Sequence, residues 1–295
     1  MRFPGIIPAV TTPFDPTGAV DREALGRNLA ALLDAGVHGF VATGTMGEAG
    51  SLTPAERRLV VETAVQAAGG RVPVIAGISS GTPAASIAFA DDAAAAGADA
   101  LMLLPPLGYR ADARETVAFY RMVADAVALP IMAYNNPEAS GVDMPPALIA
   151  RIAAEVEQVV AIKECSGDAR RIAALLNAAP QLEVLVGGDD WALEGFSAGA
   201  TGWVTGVADC APAECVELYD ACVAADLVRA RAVYARLLPL GRLDMTPKLV
   251  QFFKGAQDAL GFTGGPVRPP RLPLDEADRA VLDEAVAALR APAVV

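Results

Sequence analysis

The stretch VVAIKECSG, residues 159–167, sets a lysine at the end of a short apolar run. An ammonium there is costly to desolvate unless it is paired or gives up its proton. Lys163 is therefore a candidate nucleophile, with burial expected to pull its pKa from ~10.4 toward ~7–8. The alternative is a lysine that snorkels to solvent. The chain has only three lysines, and the others, Lys248 and Lys254, fall in a helical pattern near the C-terminus. Further apolar runs end in groups that could work beside an amine. Thr11 and Thr12 close the first run, Tyr134 and Asn135 close PIMAYNN, and Thr205 and Gly206 close GWVTGV. The turn GTMGE supplies Gly44, Thr45, Met46, Gly47 and Glu48, and LEVLVGGDD supplies Gly187, Gly188, Asp189 and Asp190.

An amine with a phenol suits Schiff-base chemistry. Lys163 would attack a ketone or imine carbon, and the resulting iminium would act as an electron sink. Tyr134, with Thr45 as relay, would move protons to and from the attacking or leaving atom. The glycine-rich turn lets backbone N–H groups converge on a substrate carboxylate. Each feature has a plainer reading: a packing aromatic for Tyr134, a steric requirement for the turn. Asp189 and Asp190 read as a helix cap and a hydrogen-bonding partner rather than catalytic acids. The amine, phenol and turn at one rim favour the catalytic reading of Lys163.

Positioning these groups requires regular elements. Apolar runs GIIPAVTTPF, GFVATGT, VPVIAGIS, ALMLLPP, PIMAYNN, VVAIKEC, LEVLVGG and GWVTGV alternate with amphipathic helical stretches. Asp21 is placed to cap the first helix, and Thr53, Pro54 and Glu56 form a capping box with proline at the first helical position. Unbroken apolar strands mean a parallel sheet covered on both faces. Eight βα units predict an α/β fold, a (β/α)8 TIM barrel over residues 1–223, whose active site would lie at the C-terminal ends of the strands. A doubly wound open sheet is the alternative, but the first turn lacks GxGxxG. Helical stretches near 212–223, 226–239, 245–260 and 275–290 follow, the first closing the barrel. Residues 224–295 make a C-terminal helical appendage bent at TGGPVRPPRLP.

Composition bounds the rest. A net charge of −12 in 295 residues argues against nucleic acid as a partner. The chain shows neither a membrane-length apolar run nor a signal peptide, which predicts a cytoplasmic protein without a membrane partner. Cys165, Cys210, Cys215 and Cys222 have no CxxC spacing, and the single histidine, His38, sits at a helix-to-strand junction where a structural role is expected. No metal and no other cofactor is expected.

Four strings, PAVTTPF at 8–14, GTMGE at 44–48, YNNP at 134–137 and IKECSG at 162–167, resemble in order and spacing the dihydrodipicolinate synthase / N-acetylneuraminate lyase family of class I lyases. The resemblance covers essentially the whole chain. It implies Lys163 as the Schiff-base lysine, Tyr134 as the proton-transfer tyrosine, and Thr45 with the following amide at the substrate carboxylate. Gly44, Met46, Gly47, Thr11, Asn135, Gly187 and Thr205 are expected to bind substrate. A homotetramer built as a dimer of dimers is also implied, with a small-molecule carboxylate as substrate. The chain departs from dihydrodipicolinate synthases at Met46, where they carry a second threonine. It departs again at Leu107, where they place a subunit-bridging tyrosine, and at Ala139, where they place an arginine. YNNPEASGVDM, IKECSGDARRI, GWVTGVAD and LDMTPKLVQFFK look most like a branch that deaminates Δ1-pyrroline-4-hydroxy-2-carboxylate. Alternatives are an aldolase or dehydratase acting on 2-oxo-3-deoxy sugar acids and a non-catalytic regulator that binds a small acid.

Overall fold

The computed structural model describes residues 2–291, so residue 1 of the expected barrel segment and residues 292–295 of the expected C-terminal segment lie outside the described residues. The apolar runs form parallel strands: β1 (Gly5–Pro8), β2 (Phe40–Ala42), β3 (Val74–Gly77), β4 (Ala100–Leu103), β5 (Ile131–Asn135), β6 (Val159–Glu164), β7 (Glu183–Val186) and β8 (Gly202–Thr205). They form one sheet in the order β1-β8-β7-β6-β5-β4-β3-β2. A parallel bridge between Ala9 and Val41 brings its two ends together, so the sheet curls into a ring, the (β/α)8 barrel expected from the alternation.

The crossovers are α1 (Arg22–Asp34), α2 (Pro54–Ala68), α3 (Pro83–Ala95), α4 (Ala113–Ala124), a short α5 (Pro137–Ser140) with α6 (Pro146–Glu155), α7 (Arg170–Ala178), α8 (Ala192–Ser197) and α9 (Pro212–Val223). Their starts follow the sequence signals. Asp21 accepts the amide N–H of Ala24, and Thr53 and Glu56 complete the capping box on α2, interactions worth about 1 kcal/mol each. His38 holds the strand junction: its Nδ1 accepts the Ile6 amide at 3.1 Å, and its ring meets Tyr219 edge-on. No described helix is long and apolar enough to cross a membrane.

The register of β5 on β6 decides which side chains face inward. Ile131 pairs with Val159 but Met132 with Ala161, so β6 carries one extra residue, Val160. Side chains alternate across a strand, and a single added residue reverses every later position. Beyond the bulge, Tyr134 pairs with Lys163 on one face and Asn135 with Glu164 on the other.

The C-terminal helices α10 (Leu227–Gly241), α11 (Leu249–Leu260) and α12 (Glu276–Arg290) follow without further strands. The third helical stretch starts later than its expected position near 245. Residues Arg242–Met245 form a 3₁₀ turn instead, and the chain stays non-helical to Lys248 because Pro247 has no amide hydrogen to donate. This detour lays Asp244, Met245, Thr246 and Pro247 along the barrel's cavity.

Candidate active site

A cavity of about 280 Å³ opens at the C-terminal ends of the strands. Lys163 and Tyr134 share one wall of it, with Lys163 Nζ 4.4 Å from the centre of the Tyr134 ring. Both are buried, at 7% and 4% exposed. The amine therefore points inward rather than snorkelling to solvent. Tyr134 Oη accepts the side-chain amide of Asn136 at 2.9 Å, and the same amide lies 3.7 Å from Cys165 Sγ.

The turn after β2 completes the opposite wall through Gly44, Thr45 and Met46. Thr43 and Glu48, at the two ends of this turn, both hold positive φ, 55° and 54°, unusual for residues with side chains and typical of over-determined functional loops. Thr43 is secured by its hydroxyl to the Gly77 carbonyl at 3.0 Å. Glu48 is secured by an ion pair with Lys254 at 2.7 Å, both side chains almost fully buried. The C-terminal appendage thus clamps the turn that faces Lys163. Thr45 lines the cavity but is exposed at its mouth, and the Tyr134 hydroxyl hydrogen-bonds to Asn136 rather than to it.

Several expected site residues stand elsewhere. Asn135 points away from the cavity, as strand alternation requires, and donates to Glu164 at 3.0 Å. It is Asn136 that lines the site. Thr205 likewise alternates with the cavity-lining Val204, and its hydroxyl accepts the Val207 amide at 3.0 Å. Thr11 turns outward, donating to Gln257 at 2.7 Å. Gly47 is packed under the turn: a Cβ there would come within 3.0 Å of the Val10 carbonyl. Gly187 does line the cavity, and a Cβ there would lie 3.0 Å from Lys163 Cε. Asp189 caps no helix. Its carboxylate accepts from Trp203 Nε1 and the amides of Gly206 and Val207 at 3.0 to 3.1 Å, tying β7 to the end of β8.

The electrostatics reverse one expectation. Burial alone pushes the Lys163 ammonium toward release of its proton, but facing Tyr134, Cys165, Asp244 and Asp189 outweighs this, and its pKa is raised. Tyr134 and Cys165 are each pushed up to about 12, chiefly by burial. Both are neutral at pH 7. Asp244, half-buried on the 3₁₀ turn, is raised to about 6 by burial, with Lys163 pulling the other way. Asp244, Glu138 and Arg271 are cavity residues that the sequence reading did not single out. Asn136 was legible from alternation once Tyr134 was placed inward. Asp244 carried no local signal, since it lies between two expected helices far along the chain.

A lysine and a tyrosine at adjacent strand ends of a (β/α)8 barrel, with a glycine-rich turn opposite, define a class I lyase, whose chemistry passes through a lysine Schiff base. The sequence profile of the Dihydrodipicolinate synthetase family matches residues 2–289, and the chain belongs to that family. It is 37% identical over 285 residues to the 4-hydroxy-tetrahydrodipicolinate synthase of Methanothrix thermoacetophila, covering 95% of each chain. It superposes with TM-score 0.93 and 35% identity on a structure described as a candidate dihydrodipicolinate synthetase from Pseudomonas aeruginosa, covering 98% of this chain and 100% of that one. A prophage protein of the same family from E. coli K12, solved in complex with pyruvate, matches with TM-score 0.92 and 28% identity over 98% and 99% of the two chains.

Proposed function

We propose that Lys163 is the Schiff-base nucleophile of a lyase acting on a small 2-oxo acid or cyclic imine carboxylate, with Δ1-pyrroline-4-hydroxy-2-carboxylate as the substrate that best suits the site. The observation that carries this reading is the distribution of charge around the cavity. Arg271 lies 3.5 Å from Glu48, beside the Gly44–Gly47 turn, where its cation and the turn's amides suit one substrate carboxylate. On the other side, Asp244 and Glu138 line the cavity, and Ala139 offers no cation. A substrate with a second carboxylate would meet repulsion there, whereas a basic nitrogen would be welcome. Met46, buried against the wall, suits a compact ring.

In this reading Lys163 adds to the imine carbon and the ring opens. Tyr134, neutral and hydrogen-bonded through Asn136, donates and recovers protons as the 4-hydroxyl leaves as water, with Thr45 serving beside it. Gly187 leaves room for the lysine stem. Hydrolysis of the imine at the former ring nitrogen then releases ammonia, and hydrolysis of the Lys163 iminium frees 2-oxoglutarate semialdehyde and the amine. A homotetramer, a dimer of dimers, is proposed with this activity. The names of the curated relatives favour a second reading, the condensing synthase. Measuring ammonia from the purified protein with the pyrroline substrate separates the two. Ammonia release that Lys163→Ala abolishes supports the deaminase, and turnover only with pyruvate plus an aldehyde rules it out.

A further inference from the structure

A phenol that passes protons must present its hydrogen to the substrate. Tyr120 and Tyr134 are both buried but differ in this respect. Tyr120 spends its hydrogen on the Leu103 carbonyl at 2.6 Å. Tyr134 donates to none of the described residues and only accepts, from the Asn136 side-chain amide at 2.9 Å. The start of α5 fixes that amide. Asn136 is the N-cap, and its Oδ1 accepts the Ala139 amide at 3.0 Å. Its backbone carbonyl accepts the Ser140 amide at 3.0 Å and the Ser140 hydroxyl at 2.8 Å, which pins the main chain. An asparagine whose oxygen is held by an N–H must turn its amino group the other way. Here that group faces Tyr134 Oη and, at 3.7 Å, Cys165 Sγ. A phenolic hydrogen lies near the ring plane in one of two orientations. With the Asn136 N–H occupying one, the hydrogen takes the other, where no described residue accepts it.

We infer that Asn136 is a positioning residue for the reaction: its amide, oriented by the cap of α5, turns the Tyr134 hydroxyl hydrogen toward the substrate. The inference rests on the proposed proton-transfer role of Tyr134. Forming the protonated iminium moves two protons from the Lys163 ammonium to the displaced oxygen or nitrogen. Tyr134 carries them in turn. Oη gives up its proton, the O–H electron pair stays on Oη, and a proton from Nζ restores the phenol. Between those two moments the Asn136 N–H faces a phenolate and binds it more tightly than it binds the phenol. In the resting site burial pushes the Tyr134 pKa up, and this hydrogen bond is among the interactions that pull it back.

The test sets the cap against the donor. Asn136→Asp keeps the size and the cap on Ala139 but offers Tyr134 an acceptor in place of a donor. Asn136→Val removes both, and Tyr134→Phe removes the phenol. Each variant is checked for native circular dichroism, and the rate of borohydride-trapped adduct formation on the Lys163 peptide is measured with pyruvate and with the pyrroline. Asn136→Val should be slower by about 10- to 100-fold, the worth of one hydrogen bond to a charged group, with the half-saturating substrate concentration nearly unchanged. Asn136→Asp should be at least as slow, whereas a residue that only capped α5 would serve equally well as aspartate. Raman spectra, each differenced against the matching Tyr134→Phe protein, should show the Tyr134 Fermi doublet of an accepting phenol in wild type and of a donating one in Asn136→Asp. Wild-type rates in Asn136→Asp, or an unchanged doublet there, would overturn the inference. Slow Tyr134→Phe beside fast Asn136→Asp sinks this inference alone. A Tyr134→Phe protein as fast as wild type removes the proton-transfer role of Tyr134, and the role of Asn136 with it.

Discussion

Two buried lysines in one chain show what separates a clamp from a nucleophile. Lys254 is 1% exposed, pairs with Glu48 at 2.7 Å, donates to the Pro266 carbonyl at 2.7 Å, and lies 4.4 Å from the centre of the Phe14 ring. Lys163 is buried almost as deeply and also lies 4.4 Å from an aromatic ring centre, that of Tyr134, yet its remaining surroundings are an open cavity. The pKa directions run against intuition. Lys254 is lowered, because burial and nearby Arg271 outweigh Glu48. Lys163 is raised, because its neighbours outweigh its burial. Depressed basicity therefore does not identify the reactive amine. Access and uncommitted donors do.

The contrast is broken most sharply by removing each amine in turn. Lys163→Ala should cost roughly 10³-fold or more in turnover and eliminate the trapped adduct, with the fold intact by circular dichroism. Lys254→Met should do the reverse. It leaves the buried Glu48 carboxylate with only Arg271 at 3.5 Å and the Arg268 amide, a loss of up to about 3 kcal/mol in urea unfolding, while protein that remains folded still forms the adduct. Adding Glu48→Gln to Lys254→Met removes the weakened charge and should restore part of that loss, as a double-mutant cycle would measure. If Lys254→Met proves neutral in stability, the clamp is not holding the turn.

Gly187 offers a finer probe of the reactive side. A Cβ there would stand 2.7 Å from the Glu164 carbonyl, 2.9 Å from Cys165 Cβ and 3.0 Å from Lys163 Cε, so Gly187→Ala must shift the end of β6 and with it the lysine. Displacing a reacting group by about 1 Å costs on the order of 10²-fold. Single-turnover adduct formation should fall by that amount, and an unchanged rate would mean the stem has slack.

The barrel and the placing of Lys163 and Tyr134 at one rim were legible because they depend on patterns of apolar runs, caps and turns; that the two sit side by side on adjacent strands was not. The inward set was only partly legible. Asn135 and Thr205 were assigned to the site by position at a strand end, but side-chain alternation sends them outward, and the extra residue Val160 that fixes the phase of β6 gives no signal of its own. Asp244 was hidden for a different reason. Its place at the cavity depends on a 3₁₀ turn before Pro247 and on packing against the turn after β7, contacts made across more than fifty positions of sequence. The raised pKa of Lys163 depends on Tyr134 and Cys165 first, then on Asp244 and Asp189, and could not be read from an apolar strand.

The smallest expected effects compare two carboxylates of opposite tendency. Asp244 is raised to about 6 by burial against the pull of Lys163, from an unfolded value near ~3.9. A carboxyl raised on folding contributes stability that is fully present below its unfolded pKa and lost as pH rises through the folded one. At pH 7 its charged form weakens the fold. Glu56 is the opposite case: hydrogen bonds from Arg268 hold it down at about 2, so its contribution is present above its unfolded pKa and is lost as pH falls through about 2. Asp244→Asn should therefore stabilise the protein at pH 7 by about 1–2 kcal/mol, with the gain fading below about pH 4. Glu56→Gln should destabilise it at pH 7 by a similar amount, discounted for partial exposure, with the loss fading toward pH 2. Urea unfolding at pH 7 and pH 4 reads the first pair, and acid titration of the folded state reads the second. A stabilised Asp244→Asn would mean that the cavity keeps a buried charge at the expense of stability. A destabilised one would assign Asp244 to the clamp side of the molecule, as a structural partner of Lys163.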